Sequence, residues 1–196
     1  MEDKKYELVP ETVTKLYGKS MYRIRALKDF SDVKKGQYGG YIESEENLSQ
    51  LDNCWIYDDS IVGLGARVID NAVVKDASKV IGGSEVSGDA IVEKCSLIDG
   101  SSEVSGQSRV IDSLITNASY VIYKSVVNRD SMVYQGSVVS NAIVGPETTI
   151  RNGASICFDV NSSEDYVVYK APFSYGRSLT ASTKKDIWSC EPHEVV

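Results

Sequence analysis

Residues 70–86 read DNAVVKDASKVIGGSEV, and the spacing within them predicts the fold. It holds three short units, each with two turn residues, a small residue and, two positions later, a valine. The small residues are Ala72, Ser78 and Ser84, and the valines are Val74, Val80 and Val86. Residues two apart on a strand point to the same side, so each unit turns one small and one β-branched side chain inward.

The same unit extends in both directions. The aliphatic residue recurs at Ile56, Val62, Val68, Val74, Val80, Val86, Val92, Ile98, Val104, Val110, Ile115, Val121, Val127, Val133, Val139, Val144, Ile150 and Ile156. Only the steps from Val110 to Ile115 and from Val139 to Val144 are five residues long. The residue two positions before each of these is always Ala, Ser, Thr or Cys. Such a run at two linked positions predicts a hexapeptide-repeat solenoid.

A six-residue unit supplies one flat side and one corner, so three units close a triangular coil. Gly, Asn and Asp are frequent at the corners, where positive φ angles penalise them least. Stacked parallel strands lie about 4.8 Å apart, so about six coils would form a prism roughly 29 Å tall. The predicted fold is therefore an all-β parallel β-helix.

The segments that flank the repeat are expected to cover its exposed strand edges. Thr12–Tyr17 and Met21–Leu27 alternate in polarity around a glycine-containing turn, which predicts a β-hairpin. Beyond the repeat, Asp165–Lys170 and Ser178–Ser189 indicate strands of a small β cap. The predicted organisation is a hairpin cap and lead-in over 1–50, the β-helix over 51–160 and a C-terminal β cap over 161–196.

Composition argues against several classes of function. The net charge of −7 disfavours general nucleic-acid binding, which needs a basic face. No signal peptide is expected, since residues 1–5 lead into no apolar run, and no stretch reaches the roughly 18 apolar residues of a membrane span. The four separated cysteines are typical of a reducing compartment, so a cytoplasmic location is expected. A single histidine, His193, gives no basis for a metal site, and no cofactor is predicted.

The segment that leads into the repeat resembles the YdcK-like proteins. The resemblance is carried by residues 29–36 (DFSDVKKG), 39–42 (GGYI), 47–50 (NLSQ) and 54–58 (CWIYD). These are bacterial and phage left-handed β-helix proteins with tandem Gly-Asn-Ala-x-Val units, often labelled transferases. The resemblance implies a left-handed helix but assigns no chemistry to individual residues. Through its phage members it also suggests a scaffold that sequesters a small anionic ligand, such as a nucleotide immune signal.

The repeat also resembles the hexapeptide acyltransferases, but it lacks the residues that catalyse their reaction. Those enzymes use a histidine as general base, and the related zinc carbonic anhydrases use three. Residues 1–192 contain no histidine, so a non-catalytic binding scaffold is expected and no catalytic residue is assigned. Two alternatives stay open. One is a purely structural or protein-binding solenoid; the other is an atypical transferase in which Asp99, Asp112 or Tyr134 replaces the histidine.

The outward residues predict that the chain associates with itself. The residue before each aliphatic position points outward, and three columns of such residues run along the prism. Two columns are largely apolar and supply Trp55, Ile61, Val73, Ile91, Leu97, Leu114, Val126, Met132 and Ile143. Apolar stripes of this length mark protein interfaces. A homotrimer with parallel axes is the first expectation and a dimer the second.

Two tyrosine–arginine pairs are candidate contacts for a small anionic or nucleotide ligand. Tyr134 and Arg151 each follow an aliphatic position on one face, and Tyr169 and Arg177 offer the same pairing in the tail. A tyrosine ring can stack on a base or sugar, and arginine can pair with phosphate. The alternative for each pair is an ordinary solvent-facing tyrosine beside an exposed arginine.

Overall fold

The repeat folds into a stack of triangular coils. The computed structural model describes residues 4–151 and 153–157, together with the backbone of residues 167–168 and 178–179. Within these residues the chain is all-β apart from a short 3-10 helix, Glu45–Asn47. No helix in this part of the chain is long and apolar enough to cross a membrane.

Each side of the prism is one sheet. The first face comprises β4 (Trp55–Ile56), β7 (Val73–Val74), β10 (Ile91–Glu93), β13 (Arg109–Ile111), β16 (Val126–Val127), β19 (Ile143–Val144) and β22 (Val167–Val168). The second comprises β5 (Ile61–Val62), β8 (Lys79–Val80), β11 (Leu97–Ile98), β14 (Leu114–Ile115), β17 (Met132–Val133) and β20 (Thr149–Ile150). The third comprises β6 (Arg67–Val68), β9 (Glu85–Val86), β12 (Glu103–Val104), β15 (Tyr120–Ile122), β18 (Val138–Ser140), β21 (Ser155–Cys157) and β23 (Ser178–Leu179).

The predicted solenoid is confirmed. Strands β4 to β21 make six coils of three strands, and every neighbouring pair within a face is parallel. The register places each aliphatic position directly above its counterpart in the coil below, as in the pairs Val74–Val92 and Val92–Val110. The three outward columns follow the same register. The left-handed sense of the coil stays a prediction of the resemblance.

The core is a column of aliphatic side chains with small residues at its corners. All eighteen repeating aliphatic residues are fully buried. Many of the small residues are serines whose hydroxyl groups accept a backbone N–H from the next coil. Ser78 N donates to Ser60 Oγ at 3.2 Å, and Ser96 N donates to Ser78 Oγ at 3.2 Å. These hydroxyls therefore satisfy buried amides that the corner leaves out of the sheet ladder.

The corners differ in a regular way. Between the second and third faces two successive residues have positive φ: Leu64-Gly65, Gly82-Gly83, Gly100-Ser101, Asn117-Ala118 and Gln135-Gly136. Between the third and first faces a single residue does: Asp70, Gly88, Gly106, Tyr123 and Asn141. Residues as large as Leu64 and Tyr123 take this conformation because hydrogen bonds to adjacent coils fix the corner backbone.

The predicted N-terminal hairpin is present and longer than expected. β1 (Tyr6–Leu16) pairs antiparallel with β2 (Lys19–Ala26), which pairs antiparallel with β3 (Tyr38–Ile42). β3 then pairs in parallel with β5, so the hairpin continues the second face of the solenoid.

The placement of Trp55 in an oligomer interface is wrong. Its side chain is fully buried, with ring-edge contacts to Tyr6 at 6.2 Å and Phe30 at 5.3 Å between centroids. The N-terminal segment covers this first position of the column, so a second copy of the chain cannot reach it. Gly39 is required here, since a Cβ atom would lie 2.6 Å from both the Trp55 ring and the Ile56 carbonyl oxygen.

The stacking extends past residue 160. β22 pairs in parallel with β19, and β23 pairs in parallel with β21, so both strands continue faces of the prism. They fall within the two segments that the sequence marked as strands. The candidate ligand residues Tyr169 and Arg177 lie outside the described residues.

Candidate functional site

A cleft of about 500 Å³ runs across the first face, in the first three coils. Its floor is apolar and is formed by Val73 and Ile91, which are half-buried. Polar side chains rise on both sides, and the loop residues Ser31 and Asp32 close the end nearest the N-terminus. This volume is within the range of small-molecule sites, which combine an apolar surface with a few polar groups.

One wall is a ladder of side chains at the corner between the third and first faces. Asn53 Nδ2 donates to Asn71 Oδ1 at 3.1 Å, and Asn71 Nδ2 donates to Asp89 Oδ1 at 3.0 Å. The three residues are 18 positions apart because each coil up to this point has 18 residues. The ladder fixes the direction of each amide, so its remaining polar atoms are presented in a defined row.

The opposite wall includes Lys75, which belongs to a cluster of two cations around one buried carboxylate. Glu93 is only 2% exposed, and its oxygens lie 3.1 Å from Lys75 Nζ and 2.5 Å from Arg109 Nη2. Arg109 Nε also donates to Glu93 Oε1 at 2.8 Å. Burial alone would raise the pKa of the Glu93 carboxyl, but the hydrogen bonds and charges of both cations outweigh it and lower that pKa. The Glu93 carboxyl is therefore ionised at neutral pH, and its one negative charge between Lys75 and Arg109 leaves the cluster with a net positive charge.

The closed end of the cleft contains a tyrosine bound to an aspartate. The Tyr57 hydroxyl donates to Asp32 Oδ1 at 2.5 Å, and Asp58 follows directly in the chain. Burial, the hydrogen bond to Asp32 and the nearby carboxylates raise the pKa of the Tyr57 phenol. This phenol is therefore a hydrogen-bonding group that stays protonated, rather than a base.

The structure places Tyr134 and Arg151 on neighbouring coils but not in this cleft. Tyr134 N donates to Ile150 O at 2.9 Å, and Val133 pairs with Ile150, so Tyr134 and Arg151 occupy equivalent positions in successive coils, directly after the second face. The cleft lies on another face, in earlier coils. Asp99, one candidate base, accepts the N–H of Gly100 at 2.6 Å, a contact that stabilises the turn in which Asp99 lies.

The remaining interface candidates lie at the surface. The side chains of Ile61, Val73, Ile91, Leu97, Leu114, Val126 and Ile143 are partly exposed, and Met132 is 38% exposed. Val73 and Ile91 also form the floor of the cleft. A partner prism packed on the first face would therefore cover the cleft as well.

Sequence reasoning missed the cleft residues, although a signal for them exists. Asn53, Asn71 and Asp89 recur at the 18-residue coil period, and so do Tyr57, Lys75 and Glu93. Sorting the polar residues by coil period would have aligned both walls. It would not have shown that the loop around Asp32 closes one end.

The chain resembles a known protein over a short stretch. It is 47% identical over 47 residues to the protein of Escherichia coli (strain K12) named "Uncharacterized acetyltransferase YdcK". The matched stretch is 24% of this chain and 14% of that protein. No family model matches the chain. The likeness to YdcK-like hexapeptide-repeat proteins is thus confirmed over this stretch and by the β-solenoid itself.

Proposed function

We propose that the protein is a non-catalytic, homo-oligomeric solenoid that binds a small anionic ligand in the first-face cleft. The observation that carries the proposal is the cluster of Lys75, Glu93 and Arg109. A buried carboxylate holds Lys75, which lines the cleft, and Arg109, one coil beyond it. The excess positive charge of this cluster lies at the opposite end of the cleft from the Asp32 and Asp58 carboxylates, which also line it. Charge-assisted hydrogen bonds from prearranged cations are among the stronger polar contacts that proteins make.

The cleft matches a ligand with one charged end and one polar, flat end. A phosphate or carboxylate would lie against Lys75 and Arg109. A base or sugar would rest on Val73 and Ile91, with its donors and acceptors toward Asn71 and the neighbouring ladder groups. A nucleotide has this distribution of groups, which is why a nucleotide signal of the kind suggested by the phage resemblance is our first candidate.

Binding without chemistry fits the groups in the cleft better than transfer does. Tyr57 is held protonated by its surroundings, and residues 1–192 supply no histidine. The observation that favours the alternative, acyl transfer, is the Asp32 carboxylate beside the phenol. The E. coli protein that matches 47 residues of this chain is named an acetyltransferase, which also favours acyl transfer. That alternative predicts turnover of an acyl donor, whereas a scaffold releases its ligand unchanged.

Self-association is proposed on the second face. Leu97, Leu114 and Met132 stack in register there and leave an apolar strip at the surface. A closed trimer of parallel prisms would bury this strip and place a neighbour beside each cleft. The third face begins with Arg67 and Glu85 and is less suited to close packing.

Native mass spectrometry of protein purified gently from bacteria, followed by denaturing release, tests the proposal. An oligomer carrying a stoichiometric phosphorylated or carboxylated small molecule, recovered unchanged, is the expected result. Lys75→Gln should reduce its occupancy by about tenfold or more, whereas Lys79→Gln, on the neighbouring face of the same coil, should not. An oligomer without ligand would favour the structural solenoid, and a released product of a supplied acyl donor would favour the transferase.

A further inference from the structure

The first five-residue step leaves a recess at the corner between the first and second faces. In the third coil this corner lies between Val92 and Ile98, and in the fourth it lies between Val110 and Ile115 and is one residue shorter. Asp112 alone has positive φ there, as Asp130 does in the fifth coil. The stacking is unbroken, since Asp112 N donates to Glu93 O at 3.1 Å and Asp130 N donates to Asp112 O at 2.8 Å. One protruding residue is missing, and the surface is indented there.

The recess has a volume of about 580 Å³ and shares no lining residue with the first-face cleft. It is lined by Lys94, Ile111, Asp112, Asn128, Arg129 and Pro146. Lys94 and Arg129 lie on the coils below and above the shortened corner, about 10 Å apart along the prism. Neither makes an ion pair with another of the described residues. Two cations and one carboxylate leave the recess with a net positive charge.

The floor of the recess is held by the serine at this corner. At the preceding coils of this corner the serine hydroxyl accepts the amide of the next coil. Ser113 Oγ, like Ser96 Oγ in the coil before, contacts one carbonyl oxygen of its own coil and one of the next: Ile111 O at 2.7 Å and Asn128 O at 2.6 Å. Both of these residues line the recess. Ser113 therefore ties together the backbone that lines the recess in two successive coils.

The geometry points to a second binding site here, for a small hydroxylated phosphate ester. The phosphate bridges Lys94 and Arg129, while hydroxyl groups of the ligand donate to the Asp112 carboxylate and bond to the Asn128 amide. A bare anion uses only the cations and meets repulsion from Asp112, so the hydroxyl groups supply the selectivity. The other shortened corner, at Asn141, has a smaller recess of about 250 Å³ with a single lining cation, Lys124.

Amide chemical shifts of the ¹⁵N-labelled protein, titrated with glycerol 3-phosphate, test this site. Saturable shifts at Asp112, Asn128 and Arg129 are expected, and glycerol should produce none. Arg129→Gln and Lys94→Gln should each weaken binding about tenfold, whereas Lys79→Gln should leave it unchanged. Shifts that do not saturate, or that persist at full strength in the Lys94→Gln/Arg129→Gln double variant, would overturn the proposal.

An insertion provides a test that does not remove charge. One glycine placed between Asp112 and Ser113 restores a six-residue unit and should fill the recess, which would abolish binding. The same insertion between Asn141 and Ala142 lengthens the other shortened corner and should leave glycerol 3-phosphate binding intact. Binding that survives the first insertion, or is lost in both, would contradict the inference. The ligand of the first-face cleft, measured by mass spectrometry, is a separate readout, so either proposal can fail alone.

Discussion

Replacement of Gly88 by alanine should destabilise the solenoid through contact between successive coils. Gly88 lies at the corner between the third and first faces, with φ of +67°. A Cβ atom there would lie 2.8 Å from the carbonyl oxygen and 2.9 Å from the nitrogen of Gly106, in the next coil. Those atoms are backbone and cannot rotate away. They also belong to the stacking ladder, because Asp89 N donates to Gly106 O at 2.7 Å.

The expected loss has two parts. Alanine in the left-handed region costs about 1 kcal/mol relative to glycine. Crowding that must move backbone adds about 2 kcal/mol, typical of overpacked sites. The sum, about 3 kcal/mol, corresponds to a fall of roughly 6–12 °C in melting temperature for a chain of this size.

Gly136→Ala is the matched control. Gly136 has a similar φ of +71°, but its Cβ would have no atom within 4 Å. This variant should lose only the conformational part, about 1 kcal/mol or roughly 2–4 °C. Thermal unfolding followed by circular dichroism measures both variants. Equal falls in melting temperature for the two variants would refute the prediction, because they would show that neighbouring coils move apart around the added Cβ atom at no energetic cost.

Three further predictions concern the Lys75–Glu93–Arg109 cluster, the apolar strip of the second face and the buried corner serines. Glu93→Gln should lower the free energy of unfolding by about 2 kcal/mol, which is less than the roughly 3–5 kcal/mol for a fully buried pair, since its two cationic partners are partly exposed to water. The folded carboxyl has a lowered pKa, so the advantage of the wild type is full at neutral pH. The difference in free energy of unfolding between the wild type and this variant should shrink as the pH falls through the pKa of Glu93. Denaturant titrations in which the difference stays the same in acid would contradict this account. Leu114→Glu should reduce the oligomer to monomers in light scattering, and a wild type that is monomeric at micromolar concentration would end the proposal of self-association. Ser102→Ala should lower the free energy of unfolding in urea by about 1–2 kcal/mol, because the buried Ser119 N–H, which lies 3.2 Å from Ser102 Oγ, loses its acceptor. Ser105→Ala is the control: Ser105 is half-buried, and its loss should cost less than half as much. An equal cost for the two variants would contradict the role given to the corner serines.

Most of the fold was predictable because the solenoid is built from local rules repeated many times. The two-residue spacing between small and aliphatic positions fixes which side chains point inward. The coil period then fixes which residues stack, so the outward columns followed correctly, as in the pairs Leu97–Leu114 and Tyr120–Val138. The period did not show why the small residue is so often serine. That depends on Oγ reaching an amide in another coil, and a pattern of residue sizes carries no such information.

The candidate site was less predictable, because its parts are brought together by different means. Asn71 and Lys75 belong to one coil, and their alignment with the residues above and below them follows from the 18-residue spacing. The partnership of Glu93 with Arg109 depends on two long side chains that bend toward each other across coils, which spacing alone does not give. Tyr134 and Arg151 were predicted to share a face, and they do lie on adjacent coils, but on a different side of the prism from the cleft.

The parallel stack, its register, its six coils and the absence of a histidine from residues 1–192 could all be inferred from the amino-acid sequence. Each of these follows from short-range spacing or from composition. Tertiary structure alone decided that Trp55 is buried, that Asp32 closes the cleft and that Asp112 lies in a recess. The first two depend on how the N-terminal segment folds back over the first coil. The last depends on the stack itself: a missing residue leaves a recess only because the coils on either side hold their positions.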